Sequence, residues 1–122
     1  MANSQPIQQN QTIRTLYNTL LAQQNALSDQ IQNTTDPTLA NALSTEIYEI
    51  THRIILTQNL LFQSDSAALQ KSVKSVQAAS QTLQTALKGV DEAVDVVDAV
   101  SNFLTYVDKA IDLAKSLASA IP

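Results

Sequence analysis

The sequence predicts an all-α protein, and more specifically an antiparallel up-down four-helix bundle. The 122 residues include one glycine and three prolines, far fewer turn residues than a β-sandwich or barrel needs. Only five residues are aromatic, so the core must be aliphatic, which suits helices packed side by side. Apolar residues also recur at spacings of three and four, the period of an amphipathic helix.

The length is enough for one domain and too short for two ordinary ones. Residues 1–10 are polar and aperiodic, so we expect a flexible tail. The remainder, residues 11–122, is predicted to be a single helical domain. The predicted helices span about 11–32, 37–63, 66–88 and 90–120.

The first two predicted helices differ in how widely their apolar residues spread. The first carries a stripe formed by Ile13, Tyr17, Leu20, Gln24, Leu27 and Ile31. The second begins after Asp36 and Pro37, which suit an N-cap and a first helical turn. Its stripe is Leu43, Ile47, Ile50, Ile54, Thr57 and Leu61. Because further apolar residues flank that stripe, we expect this helix to be the best buried, or to meet another subunit.

Gly89, the only glycine, decides whether the last two helices are separate. Lys88, Gly89 and the acidic residues that follow are typical of a helix end and a new helix start. The apolar spacing nevertheless continues through Gly89 into Val90, Val94 and Val97. The alternative fold is therefore a helical hairpin plus one long coiled-coil-like helix, which would need a partner chain. Similar helix lengths favour the bundle.

Composition and charge exclude several classes of function. Net charge is −4 and no basic stripe exists, which argues against nucleic-acid binding. The chain has no cysteine, one histidine and no glycine-rich loop, so we expect no enzyme activity, metal site or cofactor. The sequence contains no run of about 18 apolar residues, so it predicts no membrane-spanning helix. Residues 1–11 do not form a Sec-type signal peptide, so we expect a cytoplasmic protein or export without one.

The candidate functional residues belong to two surfaces. Asp91, Glu92, Asp95 and Asp98 share one side of the last helix, where a solvated acidic face or a docking site for a basic partner is expected rather than a metal site. Ile55, Leu56 and Phe62 supply surplus apolar surface on the second helix. Two further expectations concern polar residues. His52 is expected to be exposed and inert. Gln24, Thr57 and Ser80 either fix the register, which is favoured if they share a layer, or lie where the bundle opens to water.

Gln, Asn, Ser and Thr together number 45 residues against 18 charged ones, a composition typical of secreted or extracellular helical assemblies. We therefore expect a structural or adaptor module that binds a protein partner or itself, as a homo-oligomer, in a bacterial assembly or secretion-related system. One alternative is a small acidic immunity or inhibitor protein that binds a toxin through residues 89–122. The other is a membrane-active helical component, although the acidic last helix disfavours anionic lipid.

Overall fold

The four-helix bundle predicted from the sequence is confirmed. The computed structural model describes residues 10–62, 64–88 and 92–119, with side chains given up to residue 116. These residues form α1 (Gln11–Asn33), α2 (Pro37–Gln58), α3 (Ala67–Leu87) and α4 (Ala93–Ser119). Since α3 and α4 are separate helices packed against each other, one long C-terminal helix is ruled out. Gly89 itself lies outside the described residues, as does Val90.

The four helices are arranged as a square in which each packs against two others. The neighbouring pairs are α1 with α2, α3 with α4, α2 with α4, and α1 with α3. Gln23 and Gln30 of α1 hydrogen-bond to Ser80 and Leu87 of α3, each pair 57 residues apart, so these two helices run parallel. The bundle is thus two antiparallel hairpins lying side by side, and the α2–α3 connection crosses from one hairpin to the other.

That connection is attached to the beginning of α1. The backbone N–H of Asn10 donates to the carbonyl of Leu61 over 2.7 Å. The Thr12 hydroxyl donates to the Asp65 carboxylate over 2.6 Å. Asp65 also accepts from the backbone N–H of Ser66 and from the side chain of Gln70. These contacts hold the end of α2 and the start of α3 against the same end of α1.

Three helices begin at side chains that cap their first turn. The Asn10 side chain accepts from the backbone N–H groups of Thr12 and Ile13, Asp36 caps α2, and Ser66 caps α3. Such caps satisfy donors that have no partner within the helix. Asn10 is only 8% exposed, so the predicted flexible tail is wrong at this residue. The rest of that tail, residues 1–9, lies outside the described residues.

The core consists of aliphatic side chains around one aromatic ring, that of Phe103. The residues of α4 that are buried in it differ from those predicted. Val96 is fully buried, whereas Val94 and Val97 are 56% and 42% exposed. The buried residues of α4 are Val96, Val100, Phe103, Leu104, Val107, Ala110, Ile111 and Ala114. The predicted stripe was extended across Gly89 and left out Phe103. The observed rotation of α4 places that ring in the core, where it buries more apolar area than a valine would.

The expectation that α2 is the best buried helix is wrong. α2 contacts α1 and α4 on two sides, and its third side faces away from the bundle. On that side Tyr48, Ile55 and Phe62 are 76%, 52% and 60% exposed. These large apolar side chains are what made the sequence look apolar all round. They lie on the surface because a square of four helices gives each helix only two neighbours.

Candidate interaction site

Tyr48, Ile55 and Phe62 are the most exposed large apolar residues of the first hairpin and are spaced by seven. Seven residues are close to two helical turns, so Tyr48 and Ile55 lie on the same side of α2. The chain continues as a tight turn after α2, in which the N–H groups of Leu60 and Leu61 donate to carbonyls three residues earlier. Phe62 follows directly and stays 60% exposed.

Exposed polar residues fill the gaps between these three. His52 and Asn59 are both exposed and stand four residues after Tyr48 and Ile55 respectively. The five residues Tyr48, His52, Ile55, Asn59 and Phe62 are here called the α2 stripe, and their sequence spacing alternates between four and three, as in coiled-coil interfaces. The first three lie on α2 itself, and the last two follow its end at Gln58. The exposure predicted for His52 is confirmed. The stripe lies on the side of α2 opposite the residues that α2 contributes to the core. α2 therefore carries apolar residues on both its buried and its exposed side.

The other predicted interaction residues do not join the α2 stripe. Leu56 is half-buried and packs against the core from the flank of α2. Glu92, Asp95 and Asp98 are exposed at the start of α4, and Asp91 lies outside the described residues. In residues 10–62, 64–88 and 92–119, no three acidic or histidine side chains are placed to hold a metal ion. The predicted acidic face is therefore a separate, solvated surface.

A groove between α2 and α4 brings charged residues of both helices together. Its lining residues are Thr45, Glu46, Glu49, Arg53, Val97, Ser101, Leu104, Thr105 and Asp108. Arg53 occupies one end of it, where Nε donates to Asp108 Oδ1 over 3.0 Å and a terminal nitrogen donates to Oδ2 over 3.2 Å. The other terminal nitrogen donates to the Glu49 carboxylate over 2.7 Å. Two carboxylates of two helices thus share one guanidinium.

The geometry at Arg53 is that of a strong ion pair. A planar guanidinium facing a carboxylate with two parallel hydrogen bonds is the most favourable arrangement for this pair. The hydrogen bond to Asp108 raises the pKa of Arg53 above its usual value, even though partial burial works in the opposite direction. Arg53 therefore stays charged, and its hydrogen bonds to Asp108 link α2 to α4 at this level.

Glu46 is the unusual residue of the groove. It is only 7% exposed. Its carboxylate makes no hydrogen bond or ion pair with a described residue, but its oxygens are not fully enclosed, because the enclosed side-chain atom without a partner in the described residues is Gln23 Oε1. Burial raises the pKa of Glu46, the nearby Glu49 carboxylate raises it further, and Arg53 partly opposes both effects. Removing a carboxylate from water without a partner costs free energy. The charged form of Glu46 therefore lowers the stability of the folded protein.

Replacing Glu46 with Gln should stabilise the protein at neutral pH. A carboxyl whose pKa is raised by folding binds protons more tightly in the folded state, so stability falls as pH rises from the unfolded value of 4.5 through the folded pKa. Urea unfolding at acidic and neutral pH compares Glu46→Gln with wild type. The variant should have the larger free energy of unfolding at neutral pH, and this difference should shrink as the pH falls to 4.5 and below.

The matched control for this substitution is Glu49→Gln, because Glu49 is exposed and bonded to Arg53. It should lower stability slightly at neutral pH, since it weakens an ion pair. If Glu46→Gln destabilised the protein at neutral pH, the carboxylate would have a favourable partner and the cost inferred here would be wrong.

Gln24, Thr57 and Ser80, which would fix the register if they shared a layer, do not form one. Ser80 pairs with Gln23, whose side-chain N–H donates to its hydroxyl, and not with Gln24. Gln24 is half-buried and donates to Thr51 of α2 over 2.8 Å. Thr57 is six residues further along α2, about 9 Å by helical rise, and its hydroxyl donates to the backbone carbonyl of Arg53. The buried polar pair is therefore Gln23–Ser80, between α1 and α3.

Sequence reasoning missed both Glu46 and the Arg53–Asp108 pair. Glu46 lies three residues after Leu43 and four before Ile50, so helical spacing could have placed it on the buried side of α2. The predicted stripe used Ile47 instead, because an apolar residue is normally preferred to an acidic one in a core. The pairing of Arg53 with Asp108 depends on which helices are neighbours, which the sequence does not state.

Comparison of the chain with protein-family models, with curated proteins and with solved structures found no significant match. In the part of the chain that the structure describes, none of the helices has both the length and the apolar character needed to cross a bilayer. The class defined by the structure is thus an all-α four-helix bundle with an apolar stripe on α2 and a charged groove beside it.

Proposed function

We propose that this protein is a non-enzymatic structural module that assembles with a second copy of itself through the α2 stripe. The observation that carries this proposal is the exposure of Tyr48 and Ile55, at 76% and 52%, on the same side of α2, with Phe62, 60% exposed, in the turn that follows the helix. Scattered exposed apolar residues need no explanation, but a row of large ones marks an interaction surface.

The order of residues along the stripe is what favours a second copy as the occupant. Ile55 stands at its centre, with an aromatic residue seven positions away on each side. If two α2 helices pack antiparallel about a two-fold axis through Ile55, each Tyr48 meets Phe62 of the second copy. His52 and Asn59 lie about one turn on either side of Ile55, so His52 of each copy lies near Asn59 of the other. The stripe is thus self-complementary, as a two-fold interface requires.

The contacts of such an interface are the kind that supply binding energy between proteins. Aromatic side chains dominate interface energetics, and an aromatic pair contributes about 0.5–1.5 kcal/mol beyond the area it buries. The flanking surface opposes association little, because neutral amides and hydroxyls outnumber charged groups in this chain. A moderate affinity that depends on protein concentration is expected, since association also costs translational and rotational freedom.

Replacing Ile55 with Asp should abolish self-association without unfolding the monomer. The two introduced carboxylates would face each other at the two-fold axis, where they repel and lose water. Light scattering across a concentration series should show wild type approaching the mass of a dimer and Ile55→Asp remaining a monomer. Val94→Asp is the matched control, because Val94 is 56% exposed but lies on α4, and it should associate like wild type.

The antiparallel arrangement can be tested by cross-linking, because the chain contains no cysteine. An Ile55→Cys variant should form a disulfide-linked dimer under mild oxidation. Tyr48→Cys alone should not, but should cross-link efficiently when mixed with Phe62→Cys. A wild-type protein that stays monomeric at millimolar concentration would overturn the proposal, and efficient cross-linking of Tyr48→Cys to itself would overturn the antiparallel geometry.

A further inference from the structure

We propose that the groove between α2 and α4 binds a basic side chain, lysine or arginine, of a partner protein, with Glu46 as the counter-ion. This site is separate from the α2 stripe and does not depend on self-association. It assigns a role to a buried carboxylate that the fold itself does not use, and it specifies the chemistry of a partner.

The first argument is the state of Glu46. This residue lines the groove, is 7% exposed and makes no hydrogen bond or ion pair with any residue that the structure describes. A carboxylate without a partner in such a position is costly to the fold, whereas a cation brought to it gains a charge-assisted hydrogen bond in a partly desolvated setting. A cation from another molecule would therefore be stabilised beside Glu46 in the groove.

The second argument is that Arg53, the cation of the groove, is already committed. Its three guanidinium nitrogens donate to the Asp108 carboxylate and to the carboxylate and backbone carbonyl of Glu49. The groove holds three carboxylates, those of Glu46, Glu49 and Asp108, against one guanidinium. Two negative charges are thus left uncompensated, and one of them belongs to Glu46, which is only 7% exposed.

The third argument comes from the uncharged groups of the groove. The hydroxyls of Thr45 and Thr105 donate their hydrogens to the carbonyls of Asn41 and Ser101, each over 3.0 Å. Their oxygens are left as acceptors, which favours a ligand that only donates hydrogen bonds, as ammonium and guanidinium groups do. Val97, which is 42% exposed, and Leu104 offer apolar surface to the hydrocarbon stem of a lysine or arginine.

The exposed acidic residues at the start of α4 are a poorer site for the same ligand. Glu92, Asp95 and Asp98 are surrounded by water. An ion pair made there is screened and contributes little. The groove differs because its walls exclude part of the solvent, so the same charge pair is stronger.

The site can be tested with n-butylammonium and n-butylguanidinium ions as probes for the two side chains, and with n-butanol as a neutral probe of similar shape. Backbone amide chemical shifts of isotope-labelled protein would be followed by NMR during titration at constant ionic strength. We expect saturable shifts centred on Glu46, Val97 and Ser101 with one or both cations, and none with butanol. The stronger cation identifies lysine or arginine as the partner residue.

Two variants distinguish this site from nonspecific attraction. Glu46→Gln should weaken cation binding about tenfold or more, because the counter-ion is lost while the shape is kept. The triple variant Glu92→Gln, Asp95→Asn, Asp98→Asn should bind like wild type. Shifts that do not saturate, that centre on the start of α4, or that are unchanged in Glu46→Gln would overturn the proposal.

The same titration in the Ile55→Asp variant separates this proposal from the proposed self-association. That variant should be a monomer with an intact groove, so cation binding should persist in it. Circular dichroism of Glu46→Gln provides the folding control, since this variant is expected to be at least as stable as wild type. A wild-type protein that binds the cation but stays monomeric would leave the groove assigned and the α2 stripe without its proposed role.

Discussion

Val96→Asp is expected to destabilise the protein by about 3 kcal/mol or more, whereas Val94→Asp changes stability by about 0.5 kcal/mol or less. Val96 is fully buried on the core side of α4, and a carboxylate there would have neither water nor a cation. Val94 is 56% exposed, so a carboxylate in its place remains hydrated. A loss of this size is a large part of the 5–15 kcal/mol that usually stabilises a domain.

The pair of substitutions is matched in every respect except burial. Both replace valine by aspartate in the first turn of α4, where helix propensity and the helix dipole act on them alike. Urea unfolding followed by circular dichroism gives both free energies. The opposite ranking, with Val94→Asp the more damaging, would show that α4 is rotated as the sequence pattern alone indicates.

The combined variant Gln23→Leu, Ser80→Ala is expected to be at least as stable as wild type, with a gain of about 1 kcal/mol. Gln23 is fully buried, and its side-chain oxygen has no hydrogen-bond partner among the described residues. Its N–H group donates to the Ser80 hydroxyl and, over 3.4 Å, to the Ser80 carbonyl. Replacing both side chains removes the unpaired acceptor together with the group that its amide binds.

The single substitutions should behave differently from the pair. Ser80→Ala alone removes the hydroxyl that the buried Gln23 amide binds and should cost about 1–3 kcal/mol. Gln23→Leu alone should cost less, because a serine hydroxyl can turn to a carbonyl of its own helix. A double-mutant cycle from urea unfolding gives the coupling energy.

Gln24→Leu is the control for this cycle, since Gln24 is half-buried and bonded only to Thr51 in α2. It should change stability by less than Ser80→Ala. If the combined variant were clearly less stable than wild type, the Gln23 oxygen would have a favourable partner, such as an ordered water molecule. The buried pair would then stabilise the interface between α1 and α3.

The sequence predicted the helix starts well because they depend on nearby residues. Asp36 followed by Pro37 acts on backbone groups within a few positions of itself. The cap of α3 is equally local, although only the structure identifies it as Ser66. The same local physics was missed at Asn10, where a single asparagine in a polar run was assigned to a tail. The cap is visible there only once the backbone N–H of Asn10 is seen bound to Leu61, fifty-one residues away.

The candidate site was predicted only in part. Exposure of Ile55 and Phe62 followed from the surplus of apolar residues on the second helix, although that surplus was first taken as a sign of burial. The central position of Ile55 between two aromatics became apparent when Tyr48 proved to be the most exposed of the three. Helical spacing allowed either Glu46 or Ile47 on the buried side of α2, and the choice between them depends on a rotation of the helix that only its neighbours decide.

By itself, the sequence determined the all-α class and most of the helix boundaries, because apolar period, caps and the scarcity of turn residues act locally along the chain. It favoured four helices but left open one long C-terminal helix through Gly89. The tertiary structure alone decided which helices are neighbours, the rotation of each about its axis, and hence the pairing of Arg53 with Asp108 and the burial of Val96. The physical reason is that the apolar repeat of a helix defines its buried side only approximately, so the helix could be rotated about its axis by a fraction of the angle between neighbouring residues. That freedom is removed only when side chains from several helices, Phe103 among them, must fill one common core at close-packed density.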